Sequence, residues 1–510
     1  MAQKASSANP NPEPPYILAL DVGTSSTRAL LFDAAGNALP RMLAQRSYKL
    51  TISHEGEVSV DPDALLAVVR QNIDEALDMA GPLVKHIGAV AIDTFWHGLM
   101  GVGADNRPLT PLILWEDTRP HYAAIELREQ LDEAAIHART GARFHASYWP
   151  AKLRWLATRE PDAFAHAAQW LSFGEYLYRH FLGRSVCSLS MASGTGMLNT
   201  QARAWDTELM KALDARPEQF PPLGDLHDSV QGLTRDYASA WPALRNVPWF
   251  PAVGDGAAAC VGSGCAGMEN WSLTIGTSSA MRVVLAERPP EQVIPPVGLW
   301  LYLIDARRAV LGGALSEGGN MLNWLDSILV LPALADTESL VSELPPDGHG
   351  LTILPFIVGE RSLGWHADAR MTISGMKANT SPAELLRAGM EALAYRLAAV
   401  YEQLCHALQI GKTAPRIIGS GGALLGSMTL EHIVADTLGV PIYPSLDHEA
   451  SARGAALLAL EALGILPDVA QAPSHLKPPV KPDAEKYAVY KKGAERQQNL
   501  YQALLEVNPV

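Results

Sequence analysis

In LALDVGTSSTRALLFD (Leu18–Asp33) two apolar arms flank a turn of glycine, serine and threonine, which predicts a β-hairpin. HIGAVAIDTF and PLILW read as further buried strands, whereas ALLAVVRQNIDEALDMA has the period and length of a helix. Strands alternating with helices predict an α/β architecture. DVGTSSTR (Asp21–Arg28) is echoed by TIGTSSAMR (Thr274–Arg282), half a chain later and again where a hairpin is expected. The echo predicts two similar domains, each opening on a Gly-Thr hairpin and joined near Gly262–Asn270. Residues 1–15 read as a polar, proline-rich, disordered leader, 16–266 as the first domain and 267–510 as the second. The charged stretch EKYAVYKKGAERQQNLYQALLEV is expected as a helix closing the second domain.

A chain of 510 residues exceeds a single core, and 48% hydrophobic with 18% charged residues describes an ordinary globular protein. The net charge of -14, with no basic stripe to offset it, argues against nucleic acid or an acidic membrane surface as partner. No run of 18 or more apolar residues occurs, so no membrane span is expected. The leader has no apolar core of a signal peptide. The cysteines Cys187, Cys260, Cys265 and Cys405 form no CxxC pair, which points to a reduced, cytoplasmic compartment.

The turns carry the chemistry. Backbone N–H groups of a Gly-containing hairpin, beside Ser and Thr hydroxyls, make a phosphate cradle, and Asp21 at its base can hold a hydrated Mg²⁺. Thr274 stands where the first copy has Asp21, so one side alone would handle metal. One GTSS taken singly is most simply a tight turn. A third cluster, Gly419–Gly422 in APRIIGSGGALLGSM, reads as strand, turn and helix, where glycines let an adenine ring or a phosphate approach the backbone. Two matches are decoys. Gly262-x-Gly264-x-x-Gly267 follows a small-residue helical run instead of a strand, and IGKT (Ile410–Thr413) has His406 where a phosphate loop needs glycine. Asp255, between glycines in PAVGDGAAACVG, reads either as a helix N-cap or as a base that accepts a hydroxyl proton.

Together these motifs resemble the FGGY family of carbohydrate kinases, in the actin-like, hexokinase-like ATPase superfamily, from about Tyr16 to the final helix. The resemblance implies two actin-like (ribonuclease H-like) α/β domains with the active site in the cleft between them, and ATP and Mg²⁺ as cofactors. It assigns Asp21, Gly23, Thr24 and Ser25 to the first phosphate and metal site, and Gly276 and Thr277 to the second phosphate site. Gly421 and Gly422 would contact adenosine, Gly318 and Asn320 in GGALSEGGNMLNWL would line the nucleotide cleft, and Gly359–Arg361 matches the family's interdomain GER loop. Asp255 takes the place of the general base. FWHGLM and LWEDTR correspond to segments lining the sugar pocket. There Trp96 would stack on a sugar C–H face, His97 would hydrogen-bond a hydroxyl, and Asp117 and Arg119 would take further hydroxyls; Trp115 is expected in the core. Lys152–Leu156 and Ala192–Asn199 are expected to be structural.

Trp96, Leu363, Met428 and His432 depart from the family's usual residues without removing a group that catalysis needs. GTSSAMR, GGALLGSMTLEH and GLWLYLIDARRAVLGGALSEGG look more like gluconate kinases than glycerol kinases, so a gluconate-like sugar acid is the favoured acceptor. Its carboxylate would need a cation, for which Arg119, Arg143, His145 and Lys152 are the candidates. Xylulose or another ketose or polyol is the alternative substrate, and a catalytically silent sugar sensor the alternative role. A chaperone-type ATP-driven binding protein would need an appended peptide-binding domain, for which little chain follows Ala452–Gly464. The expected partner is a small sugar or sugar acid, with a homodimer as the expected assembly.

Overall fold

The computed structural model describes residues 12–286, 293–411 and 413–506, so most of the expected leader and Lys412 of IGKT lie outside the described residues. In the first half of the chain, β1 (Tyr16–Val22) and β2 (Ser26–Phe32) form the predicted antiparallel hairpin, with Asp21 opposite Arg28, and β3 (Ala38–Ser47) extends it. On its other edge β1 pairs in parallel with β4 (Ile87–Thr94), which in turn pairs with β5 (Val253–Gly254). The order β5-β4-β1-β2-β3 places β1 and β4 centrally. Strands covered on both faces read as continuous apolar runs, as these two do. Each is broken by one aspartate, and the register sets the two, Asp21 and Asp93, side by side.

The second half repeats the plan. There β6 (Asn270–Ile275), β7 (Ser279–Leu285), β8 (Trp300–Leu303), β9 (Ala309–Leu315), β10 (Arg416–Ser420) and β11 (Ile442–Pro444) lie in the order β8-β9-β7-β6-β10-β11. The hairpin β6–β7 is continued by antiparallel β9 and flanked by parallel β10. It therefore holds the same topological position as β1–β2, and the echo in sequence is an echo in structure.

Helix α1 (Pro62–Ala80) covers the first sheet with Leu65, Val69, Ile73 and Ala76. Asp61 caps it by accepting from the Asp63 and Ala64 N–H groups, with Pro62 in the first turn. The short α2 (Asp255–Gly262) follows β5, and α3 (Pro382–Leu408) lies in the second lobe. Helix α4 (Ala450–Ala462), although it comes late in the chain, packs on β1 and β4 of the first sheet and directly on α2. The charged closing helix α5 (Ala484–Tyr501) packs on α3. Among the described residues no helix is long and apolar enough to cross a membrane.

The α2–α4 crossing is a backbone contact. A Cβ on Gly454 would stand 1.8 Å from the Ala258 carbonyl oxygen, and one on Gly262 1.8 Å from that of Ala450. Gly262 and Gly454 are glycines because nothing larger fits at either. Arg453 fixes the crossing: its buried guanidinium donates to the Gly36, Gly262 and Pro473 carbonyls. Gly454→Val should therefore cost about 1–3 kcal/mol of stability by overpacking, read as a lower denaturant midpoint. Gly267→Ala, whose Cβ meets nothing within 4 Å, should leave the midpoint nearly unchanged.

Candidate active site

Both hairpin tips open on one cleft cavity of about 220 Å³, lined by Thr24, Trp96, His97 and Asp255 from the first half of the chain and by Gly276, Thr277, Arg282, Trp300, Tyr302 and Arg361 from the second. The Gly23 N–H donates to the Ser26 carbonyl at 3.1 Å and the Gly276 N–H to the Ser278 carbonyl at 2.9 Å, so each turn is closed by its glycine amide, the second one residue tighter. Ser25 is exposed at the first tip.

The expected nucleotide residues converge on the second tip. The Gly319 N–H donates to the Gly276 carbonyl at 2.7 Å and the Asn320 N–H to that of Thr277 at 3.0 Å, which docks Gly318–Asn320 on the hairpin. The Asn320 side chain turns back, accepting from the Gly318 and Met321 N–H groups at 2.9 and 2.7 Å. Gly421 has φ +93°, and a Cβ there would lie 2.4 Å from the Ile275 carbonyl oxygen, so this position requires glycine. Beside it, Gly422 faces open space.

Three carboxylates gather under the first tip. Asp21 accepts from Arg28 at 2.7 Å, and Arg28 also reaches Glu449 at 3.1 Å. Asp93 is fully buried beside Asp21, and among the described residues no donor group of another residue reaches its oxygens. Burial first, and then the Asp21 charge, hold its pKa well above the carboxylate range. The only warning in the sequence was an acid inside the apolar run HIGAVAIDTF, which reads simply as a strand. Asp255 is the third. Its helix is capped by Gly254, so the N-cap reading is corrected: Asp255 is the first helical residue, and its Oδ1 accepts from the Gly256 N–H at 2.7 Å. Burial pushes its pKa up to about 6, against the pull of Arg282, with the Asp21 charge adding to the rise.

Aromatic rings form the opposite wall. Trp96 is buried, donates Nε1–H to the Ser190 carbonyl at 3.0 Å, and lies so close under Gly254 that a Cβ there would be 1.9 Å from its ring. It supports the start of α2 as well as lining the cavity. His97 has φ +70° and is bonded through Nδ1 to the Gly194 carbonyl, and burial lowers its pKa to about 3. A carbonyl can only accept, so Nδ1 carries the proton and Nε2 is left as an acceptor. Trp300 and Tyr302 stack at 4.2 Å. Trp115 is half-buried in the wall, with the Arg361 guanidinium 4.5 Å above its ring, which corrects the expectation of a core residue.

The profile of the FGGY family of carbohydrate kinases, N-terminal domain, matches residues 16–262, and that of the C-terminal domain matches 271–463. The chain belongs to the FGGY family of carbohydrate kinases. It is thus an ATP-dependent carbohydrate kinase, a phosphotransferase with an alcohol group as acceptor, on the two-domain actin-like fold. A gluconokinase of Bacillus subtilis (strain 168) is 24% identical over 460 residues, covering 88% of either chain. A glycerol kinase of Paracidovorax citrulli (strain AAC00-1) is 30% identical over 473 residues, covering 87% of this chain and 90% of its own. The ligand-bound crystal structure of a xylulose kinase from Lactobacillus acidophilus matches with a TM-score of 0.88 at 25% identity, covering 96% of this chain and 98% of its own.

Not every expected sugar contact of this FGGY kinase faces the cavity. Asp117 and Arg119 are bound to each other, through Arg119 Nε and NH2 at 3.1 and 2.6 Å, and Asp117 also accepts from the Val58 N–H at 3.1 Å. The cations expected for a substrate carboxylate are engaged as well. Arg143 pairs with Glu133, and His145 contacts Ser147 at 3.0 Å. Lys152 is buried and donates to the His97 and Ile113 carbonyls at 2.7 and 3.1 Å, and burial brings its pKa down to about 7. The cations that do line the cavity are Arg282 and Arg361. The GER loop delivers Arg361 rigidly: Glu360 is buried, accepting from Arg396 and from the Tyr501 hydroxyl at 2.8 Å.

Open space at Gly422 makes a clean test of the nucleotide turn. Gly422→Leu should leave the unfolding midpoint in place while raising the Kd for ADP at least about tenfold by occupying ligand space, as measured by titration calorimetry. Unchanged affinity would mean that this turn faces away from the nucleotide.

Proposed function

We propose that the chain transfers the γ-phosphoryl group of Mg·ATP to a hydroxyl of a gluconate-like sugar acid, with Asp255 as general base. The observation that carries this reading is the position of Asp255: a carboxylate in the cavity wall, between two phosphate hairpins, with its pKa raised to about 6. The acceptor hydroxyl gives its proton to Asp255 as its oxygen attacks the γ-phosphorus, and the bond to the β-phosphate oxygen breaks to release ADP. Hairpin amides around Gly23 and Gly276, with the Thr24 and Thr277 hydroxyls, hold the phosphates in line. His97 Nε2 accepts from another acceptor hydroxyl. The stacked rings beside it exclude water, which suppresses hydrolysis of ATP.

Asp21 and Asp93 would hold the Mg²⁺, since no donor group of another residue reaches the buried Asp93 carboxyl among the described residues; an ion there would neutralise phosphate charge. A silent sensor has no need of Asp21, Thr24 and Asp255 together, and all are in place. The relatives carry the names of gluconate, glycerol and xylulose enzymes, so the acceptor class rests on the charge of the pocket. Neither arginine in its wall is paired with an acid among the described residues.

Asp255→Asn should lower kcat by about 10³-fold while changing the Kd for ATP little, in a coupled ADP-release assay and a nucleotide titration. Retained turnover would return Asp255 to a packing role. Because the base works only after losing its proton, kcat/KM for the acceptor should be full at neutral pH and fall as pH drops through about 6.

A further inference from the structure

Arg282 and Arg361 stand in the cavity wall, and among the described residues neither forms a salt bridge with an acid. Each Nε is buried with no hydrogen-bond partner among the described residues. Arg361 gives one bond, Nη2 to the Leu315 carbonyl at 2.8 Å, and Arg282 one long one, Nη1 to the Thr274 hydroxyl at 3.5 Å. A guanidinium does not lose its proton in a protein, so a buried, unpaired one is costly. Burial lowers the Arg361 pKa and the neighbouring Arg282 lowers it further, so the two cations oppose each other. Two acids stand nearby, and burial raises the pKa of both, that of Glu317 to about 8, against the pull of Arg361.

The two arginines have different neighbours. Arg282 acts on Asp255 and touches Thr274 at the base of the second hairpin. Arg361 lies over Trp115 and lines both the cavity and a groove that shares Trp115, Glu116 and Ser147 with it and extends to Asp117 and His121. The buried Glu360 contacts fix the loop that carries it, so the guanidinium is preorganised instead of recruited.

We propose that Arg361 receives the carboxylate of the acceptor, so that the site selects polyhydroxy acids over the corresponding polyols and holds the acid with a hydroxyl at Asp255. This rests on the sugar-acid kinase reading and adds to it the residue that selects the acid. A guanidinium matches a carboxylate with two parallel N–H···O bonds, and a polyol leaves that charge buried and unpaired.

The test compares acids with polyols of the same skeleton, gluconate against sorbitol and xylonate against xylitol. Binding is followed by the fluorescence of the cavity tryptophans, and turnover by ADP release with Mg·ATP. The wild type should favour the acid by about 100-fold in kcat/KM, and Arg361→Gln should bring that ratio close to one. The binding comparison on the wild type carries the test even where the variant folds poorly. Equal use of acid and polyol, or a preference for the polyol, would overturn the proposal and leave the kinase reading standing. So would an Arg361→Gln enzyme that keeps its acid preference but loses ADP affinity, since the arginine would then serve phosphate. No binding and no phosphorylation with any of the four compounds would count against the sugar-acid reading itself, and the role of Arg361 would fall with it.

Discussion

The rest of the molecule is arranged around the backbone contact between α2 and α4. Gly262 and Gly454 let the two helices meet without side chains between them, and Arg453 ties the crossing to the Gly36 turn of the first sheet. Helix α4 comes from the second half of the chain but lies on the first sheet, so the halves are interlocked across the crossing. Helix α2 begins at Asp255, and its close packing sets where that carboxylate stands relative to both hairpins. A rigid element is a better carrier for a catalytic carboxylate than a loop, because small displacements of the base are costly in rate.

A separation of charge in a buried cleft follows from this arrangement. Asp21, Asp93 and Asp255 crowd one side, where burial and mutual repulsion raise the pKa of Asp93 and Asp255. Arg282 and Arg361 stand in the wall beside them, each with a buried Nε that no hydrogen bond satisfies among the described residues. Neither group satisfies the other fully. Such an arrangement is poor for stability and suited to ligands that bring a cation to the acids and anions to the arginines.

The sequence made the scaffold legible because strand period, turn chemistry and motif order agreed at every level. The hairpins, the glycine turn at Gly421 and the helix opening at Asp255 all follow from local patterns. What it hid depended on distant partners. Arg119 looked available next to a sugar-pocket motif, but it closes on Asp117, which the distant Val58 N–H holds, and reaches Glu57 at 3.5 Å. Arg361 looked like part of a loop signature, and only the folded chain shows that it lines the cavity with Trp115 beneath it. Asp93 reads as one polar residue in a strand, and its proximity to Asp21 comes from the parallel pairing of segments far apart in sequence.

The central claim is phosphoryl transfer to an acceptor hydroxyl, and the most direct measurement identifies the product. Purified protein incubated with gluconate and Mg·ATP, then followed by phosphorus NMR and mass spectrometry, should yield a phosphomonoester of the acid in amounts equal to the ADP formed. ADP accompanied by free phosphate, with the acid unchanged, would contradict the account.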